Sequence, residues 1–196
     1  MKYLSSASKI ISVILICGCV LSCSKNNVPV KPPRGYLNET LLKISYATKL
    51  LKLIDTEPAI PSELQVFEGL EYKNIDSISL QLDIYKQKKL KEKAPVLIFI
   101  HGGSWSKGKR SDYLPYLVDY AMKGYVTATI SYRLVKVAKY PAAVEDVKCA
   151  VKWIKDHAAE YGIDPNRVAL IGGSAGGHLA MMAGYDVEEN VSDCES

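Results

Sequence analysis

Residues 168–180 read VALIGGSAGGHLA. An apolar run meets two glycines, a lone serine, then Ala-Gly-Gly and a second apolar run. A chain passes from a buried strand into a helix within so few residues only through a sharp turn. Side chains beside the apex of such a turn would strike the strand or the helix, so small residues are required there. The stretch therefore predicts strand, tight turn and helix, with Ser174 at the apex.

The remainder of the chain supplies partners for such a strand. PVLIFI, Pro95 to Ile100, is continuously apolar, as a strand covered on both faces of a parallel sheet would be. YVTATISY, Tyr125 to Tyr132, is rich in β-branched residues and predicts another strand, and RVALIG a further one. ISLQLDI, from Ile78 to Ile84, alternates apolar and polar residues, which predicts a half-buried strand near a sheet edge. Between these lie helical patterns. YLPYLVDYAMKG ends in a glycine suited to a C-cap. The pattern from Pro141 to Gly162 starts with a proline allowed at a first helical position and gathers Val144, Val147, Ala150, Val151, Ile154 and Ala158 on one face, after which DPN turns into the next strand. Strands alternating with helices predict an α/β fold with a mostly parallel sheet. Residues 38–54 carry leucines at helix-like spacing and predict a peripheral helix.

Gly172-Gly173-Ser174-Ala175-Gly176 fits G-x-S-x-G in the strand-to-helix context that motif requires. A serine at a helix N-terminus lies where free N–H groups and the helix dipole favour developing negative charge. A second motif, HGGSW from His101 to Trp105, follows the PVLIFI strand directly. Tetrahedral intermediates need more than one N–H donor. A glycine-rich loop brings bare backbone close to a substrate, so Gly102, Gly103 and Ser104 are candidate oxyanion donors together with Ala175. Ser174 is the candidate nucleophile. His178, one turn further along the helix, reads as a packing or hydrogen-bonding residue; His101 orders its own loop; His157 sits on a charged face and is expected to be solvated.

At these residues the chain resembles the α/β-hydrolase superfamily, in particular the esterases of hormone-sensitive-lipase type and their feruloyl and acetyl-xylan esterase relatives. The resemblance runs from about Gln65 to Gly184 through LDIY, PVLIFIHGGSW, ISYRL and IGGSAGGHLA. It implies an α/β-hydrolase fold and a serine carboxylic-ester hydrolase working through an acyl-enzyme on a small-molecule or carbohydrate ester. Kynurenine formamidases share an HGGxW loop and peptidases share the scaffold, so an amide substrate stays open. In this superfamily an acid and then a histidine follow the serine. Here Asp186 and Asp193 come before any further strand, and no later histidine than His178 is present. The expectation is a chain holding the N-terminal part of a longer esterase; the competing expectation is a truncated cell-envelope protein without catalysis.

The first 27 residues, MKYLSSASKIISVILICGCVLSCSKNN, place basic residues ahead of an apolar run too short to span a bilayer as a helix. They predict an export signal over 1–22. VLSC resembles a bacterial lipobox, with Cys23 as the lipidated residue and Cys19 as a second candidate. Residues 23–36, polar and proline-containing, read as a linker, and 37–196 as the hydrolase domain. The predicted location is the bacterial cell envelope, on the periplasmic side or the outer surface, with the membrane as partner through the lipid. The formal charge of +4 carries two lysines from the signal, and the remainder is near balance, which argues against a nucleic-acid partner. No metal and no organic cofactor are expected, because no His/Cys cluster has ligand spacing and GGSAGG lacks the Lys-Ser/Thr of a phosphate loop. Cys149, on an apolar helix face, is expected to be a small buried hydrophobe, and the two cysteines that remain, Cys149 and Cys194, make no disulfide framework.

Overall fold

A computed structural model describes Thr40, Leu41, Ile44, Ser45, Thr48, residues 57–185 and Cys194. The signal, Cys19, Cys23, the linker, Asp186 and Asp193 lie outside the described residues. The chain divides into two units, Met1–Leu53 and Ile54–Ser196. In the first, the described residues Thr40, Leu41, Ile44 and Ser45 are helical, and Thr48 donates its N–H and its hydroxyl to the Ile44 carbonyl at 2.9 and 2.8 Å.

Among the described residues, the second unit is a five-stranded sheet with helices on both faces. Its strands are β1 (Leu64–Ile75), β2 (Ile78–Gln87), β3 (Ala94–Ile100), β4 (Val126–Ile130) and β5 (Ile163–Gly172), in spatial order β1-β2-β4-β3-β5. The helices are α1 (Leu114–Met122), α2 (Ala142–Asp156), the one-turn α3 (Ala158–Tyr161) and α4 (Ala175–Tyr185). β1 and β2 are antiparallel, as are β2 and β4, whereas β4, β3 and β5 run parallel.

Strand alternation assigns each face its helices. In β4, Val126, Ala128 and Ile130 join Ile98, Ile100, Val147, Ile154 and Leu179 in the larger core under α2 and α4. Phe99 and Tyr85 face the other way and pack with Leu117, Val118 and Ala121 of α1. Thr127 and Thr129 share that second face, and both are buried. Their hydroxyls are satisfied, donating to the Leu117 and Arg110 carbonyls at 2.9 Å each.

Several expectations change. β1 was not anticipated, because bulges between Phe67 and Leu70 and between Glu71 and Lys73 break its two-residue period. With β1 outside it, β2 also buries Asp83 and Tyr85 on its second face. The helix from Pro141 ends early: His157 leaves helical geometry, stacks on Trp153 with 3.9 Å between ring centroids, and donates Nδ1–H to the Trp153 carbonyl at 2.8 Å. It is therefore not merely solvated. DPN is not a turn before β5 but part of it, where the register against β3 slips between Ala94 and Val96.

Cys149 is buried as expected but is not a free hydrophobe. It forms a disulfide with Cys194, with the two Cα atoms 5.2 Å apart and a sequence separation of 45. Closing a loop of that length restricts the unfolded chain and stabilises the fold by about 2–4 kcal/mol.

Candidate active site

The C-terminal ends of β3 and β5 lie side by side, with Ile100 opposite Gly172. β4 and β5 flank β3 on its two sides, so the chain reverses its winding direction at β3. In open α/β sheets a crevice forms at that point, beyond the carboxyl ends of the strands. The His101–Trp105 segment leaves β3 into this crevice, and Gly173–Ser174 enters it from β5.

Ser174 has φ +56°. A non-glycine residue in the left-handed region costs roughly 1–2 kcal/mol. The turn is fixed by two hydrogen bonds, from the Gly176 N–H to the Gly173 carbonyl and from the His178 N–H to the Ser174 carbonyl, each 3.0 Å. It is fixed also by the close crossing of α4 over β3. A Cβ on Gly176 would overlap the Ile100 carbonyl oxygen and stand 2.8 Å from that of His101. Backbone cannot yield as a side chain does, so Gly176→Ala is expected to lower stability by about 3 kcal/mol. A thermal melt of this variant matching the wild type would refute that packing.

Ser174 is exposed, and its hydroxyl meets no partner among the described residues. Gly102 stands against the turn: a Cβ built on it would lie 3.7 Å from Ser174 Cβ and 2.8 Å from the Gly173 carbonyl oxygen. Among the described residues, the N–H groups of Gly102, Gly103, Ser104 and Ala175 donate to no carbonyl. The loop turns its carbonyls to internal donors instead. The Gly103 carbonyl accepts from the N–H groups of Ser106 and Lys107 at 3.1 and 3.2 Å, and the Gly102 carbonyl accepts from His101 Nδ1 at 2.9 Å.

His101 is 2% exposed. Burial pushes its pKa below the ordinary 6.5 and so favours the neutral ring, whose Nδ1–H serves the Gly102 carbonyl. The ring stacks on Tyr132 at 4.3 Å, and the Tyr132 hydroxyl donates to the His101 carbonyl at 2.9 Å. Burial raises that phenol to about 12, so it keeps its proton. This pair holds the loop in shape; Tyr132 had no sequence signal beyond its place at a strand end.

Two spaces border the His101–Trp105 loop. A pocket of about 350 Å³ opens on the side of α2, with Trp105, Tyr140, Val144, His178 and Leu179 among its walls. Ser104 and Trp105 both have positive φ, +53° and +56°, and Val135 N–H holds the Trp105 carbonyl at 2.8 Å. Trp105 meets His178 edge-on at 5.4 Å. His178 thus packs beside the turn; its Nδ1 is sealed from solvent and finds no hydrogen-bond partner among the described residues. A second, open groove of about 640 Å³ is bordered by Gly102, Gly103, Lys107, Lys109, Asp112 and Tyr113. Of these, only the glycines belong to a sequence motif.

The structure thus sets Gly102 against the turn that carries Ser174 and Ala175, with Gly103 on the open groove and Ser104 on the pocket. Sheet order, turn and glycine loop together define an α/β-hydrolase fold. The chain belongs to the BD-FAE family, whose family model matches residues 82–196. It is similar to the carboxylesterase NlhH of Mycobacterium tuberculosis, 32% identical over 143 residues covering 71% of this chain and 44% of the relative. It is 42% identical over 105 residues to the probable carboxylic ester hydrolase LipM of the same organism, covering 52% of this chain and 24% of LipM. The chain therefore spans less than half the length of these relatives. Among solved structures, the esterase Est2 of Thermogutta terrifontis superposes with a TM-score of 0.56 at 31% identity, covering 72% of this chain and 52% of Est2. The same esterase phosphonylated by cyclosarin superposes equally well, at 0.56 and 30% identity, covering 70% and 55%.

Proposed function

We propose that this chain carries the nucleophile half of a serine carboxylic-ester hydrolase. The observation that carries the reading is the exposed Ser174 held at φ +56°, beside Gly102, Gly103 and Ser104, whose N–H groups donate to no carbonyl among the described residues. Ser174 Oγ attacks the ester carbonyl. The N–H groups of Gly102, Gly103 or Ser104, together with that of Ala175, take the negative charge on the carbonyl oxygen. The alcohol leaves with a proton, and water then cleaves the acyl-enzyme.

A hydroxyl needs a base. His101 is buried and spends Nδ1 on its own loop, His157 caps α2, and His178 lies a turn along α4 from the serine. The reading places the acid and base beyond these residues, in a longer protein. The groove carrying Lys107, Lys109 and Asp112 supports a hydroxyl-rich alcohol, such as a carbohydrate, and the apolar pocket beside Trp105 supports an apolar group across the scissile bond.

The test is a fluorophosphonate applied to the full-length product of the natural reading frame, with the adduct located by mass. An adduct on Ser174 supports the reading. Labelling elsewhere, or none, rejects it.

The reading extends to location. Residues 1–22 direct export and Cys23 takes the lipid, which holds the domain at the cell envelope. The Cys149–Cys194 disulfide supports this, since disulfides persist outside the reducing cytosol. Cys23→Ala is expected to move the protein from the membrane fraction to the soluble fraction and to abolish labelling by radioactive palmitate. Retention of both the label and the membrane association would exclude Cys23 as the anchor.

A further inference from the structure

Gly173 directly precedes Ser174 in the G-x-S-x-G turn and has no side chain. The space is taken by Tyr113, for a Cβ on Gly173 would lie 2.9 Å from the Tyr113 hydroxyl oxygen. The same tyrosine borders the open groove together with Gly102 and Gly103. The phenol therefore shares one groove with Gly102 and Gly103 and lies against the residue that directly precedes Ser174.

The ring is held from several sides. Tyr113 packs against Phe99 at 5.6 Å and Tyr116 at 5.9 Å between centroids. It closes a one-turn 3₁₀ segment, Arg110–Tyr113, that is pinned at its start. Arg110 Nε donates to Asp83 at 2.8 Å, and the Arg110 carbonyl accepts from Thr129. Asp112 accepts from the Lys109 N–H at 3.0 Å. Yet the hydroxyl at the end of this fixed ring has no hydrogen-bond partner among the described residues, nor is it sealed from solvent. A rigidly aimed and unspent donor beside a nucleophile is the arrangement that stabilises charge without reorganisation during reaction.

We propose that Tyr113 is a catalytic residue of this site, its hydroxyl donating a hydrogen bond to an oxygen of the bound ester beside Ser174. This rests on the reading of Ser174 as the nucleophile. Lys107 and Lys109 border the same groove, but they are flexible ammonium groups, whereas the phenol is fixed by its ring.

The experiment uses the full-length protein and short-chain acyl esters. Tyr113→Phe keeps the ring contacts and removes only the hydroxyl, so its melting temperature should match the wild type while kcat/KM falls about tenfold or more. Gly173→Ala reaches the same group independently, because the new methyl displaces the hydroxyl. It should slow the wild type and slow the Tyr113→Phe enzyme far less. An active enzyme whose kcat/KM is untouched by Tyr113→Phe, or in which the two changes multiply independently, overturns this proposal alone. A wild-type protein without turnover and without an adduct on Ser174 overturns the esterase reading and this proposal with it.

Discussion

Ser174→Ala is expected to leave the fold intact and to lower kcat by about six orders of magnitude. The fold survives because Ser174 is exposed and its hydroxyl bonds to nothing among the described residues. The activity does not, because no other hydroxyl stands at the apex between β5 and α4. A companion variant isolates the backbone. At an ordinary position glycine is roughly 0.5–1 kcal/mol less stable than alanine, since it loses more freedom on folding. At φ +56° alanine pays a left-handed penalty of about 1–2 kcal/mol that glycine escapes. Ser174→Gly should therefore be at least as stable as Ser174→Ala, reversing the usual order, while both are inactive. Urea denaturation of the two variants, set beside ester turnover, reads both effects. Residual turnover in Ser174→Ala would remove the serine from the chemistry. A glycine variant less stable than the alanine one would remove the strain.

Asp146→Ala is expected to destabilise the fold by about 3–5 kcal/mol, the cost of stripping a buried ion pair of one partner. Asp146 is wholly buried at the start of α2. Arg133 approaches it bidentately, Nη2 to Oδ1 at 2.7 Å and Nε to Oδ2 at 2.8 Å, while the Arg133 backbone N–H donates to Oδ2 at 2.9 Å. Lys73 of β1, itself buried, stands 3.6 Å from Oδ1. One carboxylate thus joins the outermost strand, the loop after β4 and the helix after that loop. Its hydrogen bonds to Arg133 are the main cause holding that guanidinium more firmly protonated. Without Asp146 the buried Lys73 and Arg133 lose their shared carboxylate, and among the described residues Arg133 keeps only the more exposed Glu145 carboxylate, at 3.6 Å. Asp146→Asn, which keeps some of the hydrogen bonding but not the charge, should fall between. The midpoint of urea denaturation measures the series, and a midpoint unmoved in Asp146→Ala would show that the cations find water or another partner.

The parts of the fold that sequence revealed are those set by local rules. The serine turn, the HGGSW loop and the strand–helix alternation each follow from what a few consecutive residues allow. The parts it hid depend on residues far apart. β1 escaped because its bulges break the alternation, and the reason for the first bulge, the Gly69 N–H donating to Asp83 at 2.8 Å, lies 14 residues away. The Asp146 cluster was invisible because Lys73 and Arg133 meet it only in three dimensions. Tyr113 opens the helical pattern YLPYLVDYAMKG, which gives its hydroxyl no direction, and only the missing side chain of Gly173 shows where that hydroxyl goes. Two cysteines could not announce a bridge, because pairing depends on the 5.2 Å between their Cα atoms and not on their spacing in the chain.

That bridge also changes what a protease can do. Cys149 and Cys194 enclose β5, the serine turn and α4 in a single covalent ring. A cut at any bond between the two cysteines opens the ring without parting the molecule. The fragments remain joined through sulfur, and the nucleophile-bearing piece leaves only when a reductant follows the protease.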